Sequence, residues 1–385
     1  MRLSLFRTIR KKKTVAAICF VIVGVMIVAA FWPFNPRPAN RVVWMGGESG
    51  LRFDGGGSLL SSKRFQFPDS ETPAGTSLEI WFGPSQEKHD RALLSISTPE
   101  NPEQFRLRQG GTSLLILQQP FGSSHHAGMT WLWVLHVFQT KESRFVTISS
   151  GTDGTSVYLD GVPAEKSTAF KITQKDLSGQ LIVGTSPIVY DTWRGKLLGL
   201  ALFGRELKPS EVSEHYQAWV NGRSEIIENS QPVALYTYAE RTGNIVHNQI
   251  ASGPDLTIPA TFRIPYKPFL KAPWNEFYPN LAYLREVLIN IAGFIPFGFF
   301  FCMLFSSGQP SQKTAVATII LGGLFSLTIE VLQVYIPMRD SGTTDIFTNT
   351  FGTVLGVILY GGGTLEVLLR RLESRALPNA GPELL

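Results

Sequence analysis

The chain has 385 residues and a formal net charge of +5, which is room for two or three domains. Much of its basic charge stands beside apolar runs and so speaks to membrane orientation. No basic stripe with interleaved aromatics is present, which excludes nucleic acid as the expected partner. The two cysteines, Cys19 and Cys302, both fall in apolar runs, so no disulfide braces the middle of the chain, and no Cys/His metal spacing exists.

Residues 1–13 carry Arg2, Arg7, Arg10, Lys11, Lys12 and Lys13 and read as a basic cytoplasmic N-terminus. Thr14–Trp32 follows without a charge, and about 20 apolar residues suffice to cross the hydrocarbon core. A cleaved signal peptide is the competing reading, because Val28 and Ala30 satisfy a cleavage rule. The run is long for that role, and Phe31-Trp32-Pro33 reads as an interfacial exit, so 14–32 is expected to be an uncleaved transmembrane anchor.

From 41 to 222 the pattern changes to short strands: Ser77–Phe82, Arg91–Ser97, Ser113–Leu117, Arg144–Ser149 and Ser156–Gly161, each bounded by Gly, Pro, Asn or Asp. Repeated strands with frequent turn signals predict an all-β sandwich. Asp160-Gly161 predicts a hairpin, because a two-residue turn needs positive φ at its centre. A helix, Lys208–Trp219, closes the run. Its His215 is expected at the surface, and His125-His126 in a solvated loop.

The series TSVYLDGV, LIVG, WRGKLLGLALFGREL and PSEVSEHYQAW resembles the concanavalin A-like, laminin-G-like (LamG) family. The resemblance implies a jelly-roll sandwich that binds sugars, sulfated glycans or proteins, with calcium at its loop ends through Asp153, Asp160 or Asp191. No other cofactor is evident. Hydrolases of this fold carry paired carboxylates on one strand. Glu79, Asp153, Asp160 and Asp191 are not spaced like such a pair, and retaining hydrolysis needs two carboxylates about 5 Å apart, so no catalytic residue is assigned. The Gly-rich runs at 55–57 and 361–363 lack the context of a phosphate loop.

Residues 223–280 read as a linker. Within it, 234–259 resembles the opening strand pair of the same family. It is either a pair of strands completing the sandwich or an extended connection.

Residues 281–365 hold three further spans: Val287–Phe305 with Pro296 inside it, Thr314–Tyr335 with the single charge Glu330, and a last one that begins after Asp345 and stays charge-free until Glu366. At 100° per residue, Glu286, Asn290 and Gly293 share a face, as do Gly323, Ser326, Glu330 and Gln333, and as do Asp345, Asn349, Gly352, Gly356 and Gly363. Small residues allow close helix approach, so each stripe is expected to face the bundle interior. Basic residues at Lys313 and at Arg370, Arg371 and Arg375 of the tail, 366–385, place both termini in the cytoplasm and 41–280 outside the cytoplasmic (inner) membrane.

The expected result is a polar pocket near the outer rim, formed by Arg285, Asn290, Glu330, Gln333, Arg339, Asp345 and Asn349. Arg339 or Arg285 is expected to pair with Glu330, since a lone carboxylate in hydrocarbon is costly. Two uses of the pocket stay open: interhelical glue, or a site for a headgroup, proton or substrate. INIAGFIPFGFF and SLTIEVLQVYIPMRDSGTTDIFTNTFGTVLG together resemble the VanZ family, whose polar signature Asn290, Glu330, Gln333, Arg339, Asp345 and Asn349 match. That resemblance implies a tie to resistance against teicoplanin, a lipid-tailed glycopeptide. The expected fold is multidomain: an N-terminal transmembrane helix, a concanavalin A-like sandwich and a C-terminal three-helix transmembrane bundle. The expected partners are membrane lipid and a glycan or lipid-linked glycan, with self-association left open. A binding protein is favoured over an enzyme or carrier acting on a lipid-linked envelope precursor.

Overall fold

The computed structural model describes residues 12–67, 75–83, 90–120, 128–140, 142–277, 279–306 and 310–362. His125, His126, Gly363, residues 1–11 and the tail lie outside them. The chain forms two compact units, 37–267 and 1–36 with 268–385.

The first unit is a two-sheet antiparallel sandwich. Its strands are β1 (Val42–Trp44), β2 (Leu51–Asp54), β3 (Leu59–Ser61), β4 (Thr76–Gly83), β5 (Arg91–Ser97), β6 (Phe105–Gly110), β7 (Ser113–Gln118), β8 (Thr130–Val134), β9 (Arg144–Gly151), β10 (Gly154–Leu159), β11 (Val162–Ser167), β12 (Gln180–Val183), β13 (Arg194–Phe203), β14 (Ala234–Tyr236), β15 (Ile245–Val246) and β16 (Leu256–Thr257). One sheet runs β1-β2-β13-β4-β9-β10-β11, and the other β15-β16-β3-β12-β5-β6-β7-β8. Alternating sequences such as Leu51-Arg52-Phe53-Asp54 bury every second side chain, as the period of two in a pleated strand requires. Phe53, Phe82, Phe105, Ile148, Leu181, Trp193 and Tyr236 meet in one core between the sheets. The β10–β11 turn has φ of 52° at Asp160 and 79° at Gly161, and the Asp160 carboxylate accepts the Phe145 amide at 3.0 Å.

The stretch after the closing helix returns to the sandwich. β2 pairs with the first half of β13 (Arg194–Leu197) and β14 with its second half (Leu200–Leu202), so the two fill successive stretches of β13. β16 pairs with β3. The segments that open and close the unit also meet, in an Ala39–Thr261 bridge.

Helix α1 (Lys12–Phe31) precedes the sandwich. Helices α2 (Pro209–Val220) and α3 (Ser224–Asn229) close it. At the start of α2, the Glu211 carboxylate accepts the Lys208 amide at 2.9 Å, and the Arg205 hydrogen bond holds that carboxyl below its ordinary range. Trp219, Val212, Phe203 and Phe145 form a second apolar cluster. Gly199 makes room for it: a Cβ there would lie 2.5 Å from the Trp219 ring.

The other unit packs α1 with α4 (Pro273–Glu276), α5 (Leu281–Phe305), α6 (Gln312–Gln333) and α7 (Thr343–Gly361). Three of these, α1, α5 and α6, are long and apolar enough to cross a membrane, which makes this a multi-pass membrane protein. The fourth expected span is α7, shorter and more polar, opening on Thr343, Thr344 and Asp345. Polarity is inverted relative to a water-soluble bundle: Phe20 is 80% exposed while Glu330 is 1% exposed. That distribution suits a lipid surround, where polar groups must turn inward. Phe294, Phe297 and Ile329 form the buried centre, with Ile22, Met26 and Phe325 against it. α5 and α7 approach backbone to backbone: a Cβ at Gly352 would lie 2.3 Å from the Ile291 carbonyl oxygen, and one at Gly356 2.2 Å from that of Ile295. Gly293, by contrast, faces outward, with no neighbour within 4 Å of a Cβ, while Glu286 is exposed at the end of α5 that carries the acidic residues. The stripe expected on α5 therefore does not include Gly293, and Asn290 and Phe294 take the face toward α6 and α7.

Candidate functional site

The polar residues of the bundle gather where α5 and α7 begin and α6 ends. Asn290 donates through Nδ2 to Asp345 Oδ1 at 2.8 Å, tying α5 to α7. Asn349, one turn further along α7, donates to Ser326 Oγ at 2.9 Å and ties it to α6. The Oδ1 of Asn349 is buried without a hydrogen-bond partner. Glu330 accepts the Gly342 amide through Oε2 at 2.9 Å, and its own carbonyl accepts the Ser341 hydroxyl at 2.9 Å. Glu276 of α4 accepts the Thr344 amide at 3.0 Å.

Two carboxylates, Glu276 and Glu330, thus engage the amides at the start of α7, and Asp345 stands in its first turn. The first amides of a helix lack internal partners and the helix dipole favours negative charge there, which accounts for acids gathered within a membrane bundle. Gly342 is required by the same packing, since a Cβ there would lie 1.5 Å from Glu276 Oε1.

Gln333 and Arg339 act elsewhere. Gln333 Nε2 donates to the Ala30 carbonyl at 3.0 Å. Arg339 Nη2 donates to the carbonyls of Ala29 at 2.7 Å and Trp32 at 3.0 Å. Both therefore satisfy the terminal carbonyls of α1, which have no partners within the helix. The expected Glu330–Arg339 pair is not formed, because the carbonyls of α1 take the guanidinium and the α7 amides take the carboxylate. Arg285 is exposed in the first turns of α5, and Lys271 lies 3.6 Å from Asp340. The site offers carboxylates, amides and hydroxyls, suited to holding a proton or a hydroxyl or amine donor. Arg339, expected in this pocket, is instead committed to the end of α1. Sequence reasoning missed Glu276, Ser341 and Gly342. Glu276 lies in PWNEF, outside any apolar run, and its one local signal is Pro273 opening a helical turn.

In the sandwich, the calcium candidates do not converge. Asp153 and Asp160 flank β10 at its two ends, about 20 Å apart at the strand rise. Asp160 pairs with Arg144 at 2.5 Å, and Asp191 with Arg108 at 2.8 Å. Among the described residues no group of three or more His, Cys, Asp or Glu side chains is arranged to hold a metal. His215 departs from expectation: it is 1% exposed, its Nδ1 is 2.8 Å from Glu79 Oε1 and its Nε2 2.8 Å from Ser230 Oγ. Trp219 Nε1 donates to the other oxygen of Glu79 at 3.2 Å. A polar cleft of about 640 Å³ lies between Ser62–Gln66 and Asn248–Asp255.

Comparison with known proteins finds two family matches on the chain. Residues 54–213 match the concanavalin A-like lectin/glucanases superfamily, and residues 233–366 match the VanZ/LLP1 family. Protein VanZ of Enterococcus faecium is 35% identical over 89 residues, which are 23% of this chain and 52% of that protein. The chain thus spans about half the length of this curated relative. Among solved structures, the receptor binding domain of botulinum neurotoxin C/D mosaic serotype matches with 12% identity and a TM-score of 0.35, over 47% of this chain and 45% of that one. That of botulinum neurotoxin D matches with 13% identity and a TM-score of 0.35, over 48% and 47%. The VanZ match begins at Val233, whereas residues up to Lys267 pack with the sandwich.

Proposed function

We propose that a chain joining a VanZ-type membrane segment to a concanavalin A-like sandwich is a membrane-anchored binding protein of the cell envelope. The sandwich takes an envelope or extracellular glycan, and the bundle holds it at the cytoplasmic membrane with both termini in the cytoplasm. The reading is carried by one observation: a lectin-type sandwich is threaded between α1 and α5, two helices able to cross a membrane. The bundle contributes anchorage and, through its VanZ similarity, a link to glycopeptide susceptibility.

The test is retention of the full-length protein in lipid nanodiscs on an immobilised panel of peptidoglycan, teichoic acid, capsular polysaccharides, neutral glucans and heparin. Retention on at least one, competed by the same soluble glycan, is expected. Retention on none would end the proposal.

A further inference from the structure

Strand β8 has an inverted distribution of aromatic surface. Leu132 and Val134 turn into the sandwich core. Between them, Trp131 is 57% exposed and Trp133 44% exposed. The two indoles are two residues apart on one face, about 7 Å along the strand. They are the outermost members of two parallel rows. Trp133 stands opposite Leu115 of β7, which stands opposite Arg108 of β6. Trp131 stands opposite Leu117, and Leu117 opposite Arg106. The Trp133 ring reaches across β7 toward β6, where a Cβ on Gly110 would lie 3.3 Å from it. That ring therefore lies along the sheet and stays exposed.

The guanidiniums that end both rows are already neutralised. Arg108 Nε meets both oxygens of Asp90 at 3.0 and 2.9 Å, and its Nη2 meets Asp191 at 2.8 Å. Arg106 pairs with Glu103. Large exposed aromatic surface beside fixed polar groups marks a binding surface. The charge balance selects the ligand. An anionic polysaccharide or an acidic bilayer would be drawn by uncompensated basic charge, and here each arginine has its acid. An uncharged sugar asks instead for flat apolar faces against its C–H groups and for polar groups at its edge.

We propose that Trp131 and Trp133 form a stacking platform for an uncharged pyranose chain, with the ion-paired Arg106 and Arg108 at its edge facing the sugar hydroxyls. This rests on the glycan-binding reading and narrows it to a surface and a ligand class. The surface is the outer face of β6–β8; the polar cleft, Asp153 and Asp160 take no part, and Asp191 enters only as the ion-pair partner of Arg108.

The experiment compares the full chain in nanodiscs with the Trp131→Ala/Trp133→Ala and Trp131→Phe/Trp133→Phe double variants and with Asp153→Ala, using laminarin and glycogen as neutral probes, heparin as the anionic probe and phosphatidylglycerol vesicles. Wild type is expected to bind a neutral glucan with quenching of tryptophan fluorescence. The double alanine variant should bind it at least 10-fold more weakly with unchanged thermal unfolding. The phenylalanine variant should lie within about 3-fold of wild type, since a ring face is kept, and Asp153→Ala should match wild type. Equal glucan binding by the wild type and the double alanine variant would overturn the platform and leave the glycan reading standing. So would binding of heparin alone, unaffected by the tryptophans. Loss of vesicle adsorption without loss of glucan binding would assign the rings to the bilayer. Retention of wild type on no glycan at all would remove both proposals.

Discussion

Glu79 and His215 are 136 positions apart and meet at 2.8 Å beneath α2, where both are fully buried. A carboxylate out of water is tolerated only with partners for its oxygens. Here the imidazole takes one oxygen and the Trp219 indole the other. Replacing His215 with Ala leaves that carboxylate short of a partner and should cost about 3–5 kcal/mol of sandwich stability. Glu79→Gln keeps an acceptor at the same place and should cost about 1 kcal/mol. Denaturant unfolding followed by tryptophan fluorescence checks both, and equal losses in the two variants would contradict this account. The pair was illegible beforehand, since a histidine on a polar helix reads as solvated until its facing strand is known. The membrane signature shows the opposite limit. Asn290, Glu330, Asp345 and Asn349 were legible because polar groups stand out in apolar helices, but their partners were not. Arg339 reads as the counter-charge of Glu330 only while the open carbonyls of α1 are left out.

Among elements, the helices were the most legible. Long apolar runs gave α1, α5 and α6 nearly to their ends, and the Gly352/Gly356 spacing marked the face of α7 that meets α5. Gly356→Leu tests that contact. Its side chain would enter the space of the Ile295 carbonyl, force the helices apart and destabilise the bundle by about 1–3 kcal/mol. Gly293→Leu, on an open face, should change little. Reversible unfolding in bicelles separates the two, and similar behaviour would remove the close-packing argument. The strands were legible where a β-rich run was bounded by turn residues, as in β4, β5, β7, β9 and β10, whereas β6, whose burial does alternate, was missed. Short ones such as β1, β3 and β12 carry too few residues to show a period. β14–β16 could not be settled because two or three residues of strand look the same as linker until their neighbours are known. β8 was missed: Thr-Trp-Leu-Trp-Val is apolar throughout, and only the structure separates its inward Leu132 and Val134 from its outward tryptophans.

For the molecule as a whole, the order of the elements sets the topology. If both termini are cytoplasmic, the sandwich and the Gln333–Thr343 connection are outside, and residues 306–311 are inside. Reporter fusions at Lys63, Asp340, Ser311 and the C-terminus should read out, out, in and in. A cytosolic signal at Asp340 would reverse the assignment. Composition and spans alone made the multi-pass character legible, because lipid tolerates so few alternatives; the sidedness is what the fusions test.

The Ala39–Thr261 bridge and the α1 contacts of Gln333 and Arg339 have a joint effect on how the sandwich can come undone. With Cys19 and Cys302 both buried in the bundle, this unit has no covalent cross-link of its own. Its two ends nevertheless leave from helices packed in the other unit. Where that bundle outlasts the strands, the molten segment is a closed loop whose ends are kept near one another, with fewer conformations open to it than a chain with free ends. Cross-link arithmetic for a loop of this length sets the largest such stabilisation at about 5 kcal/mol. The bundle would in that way serve as a non-covalent staple, and a sandwich cut loose from it should be the weaker for the loss.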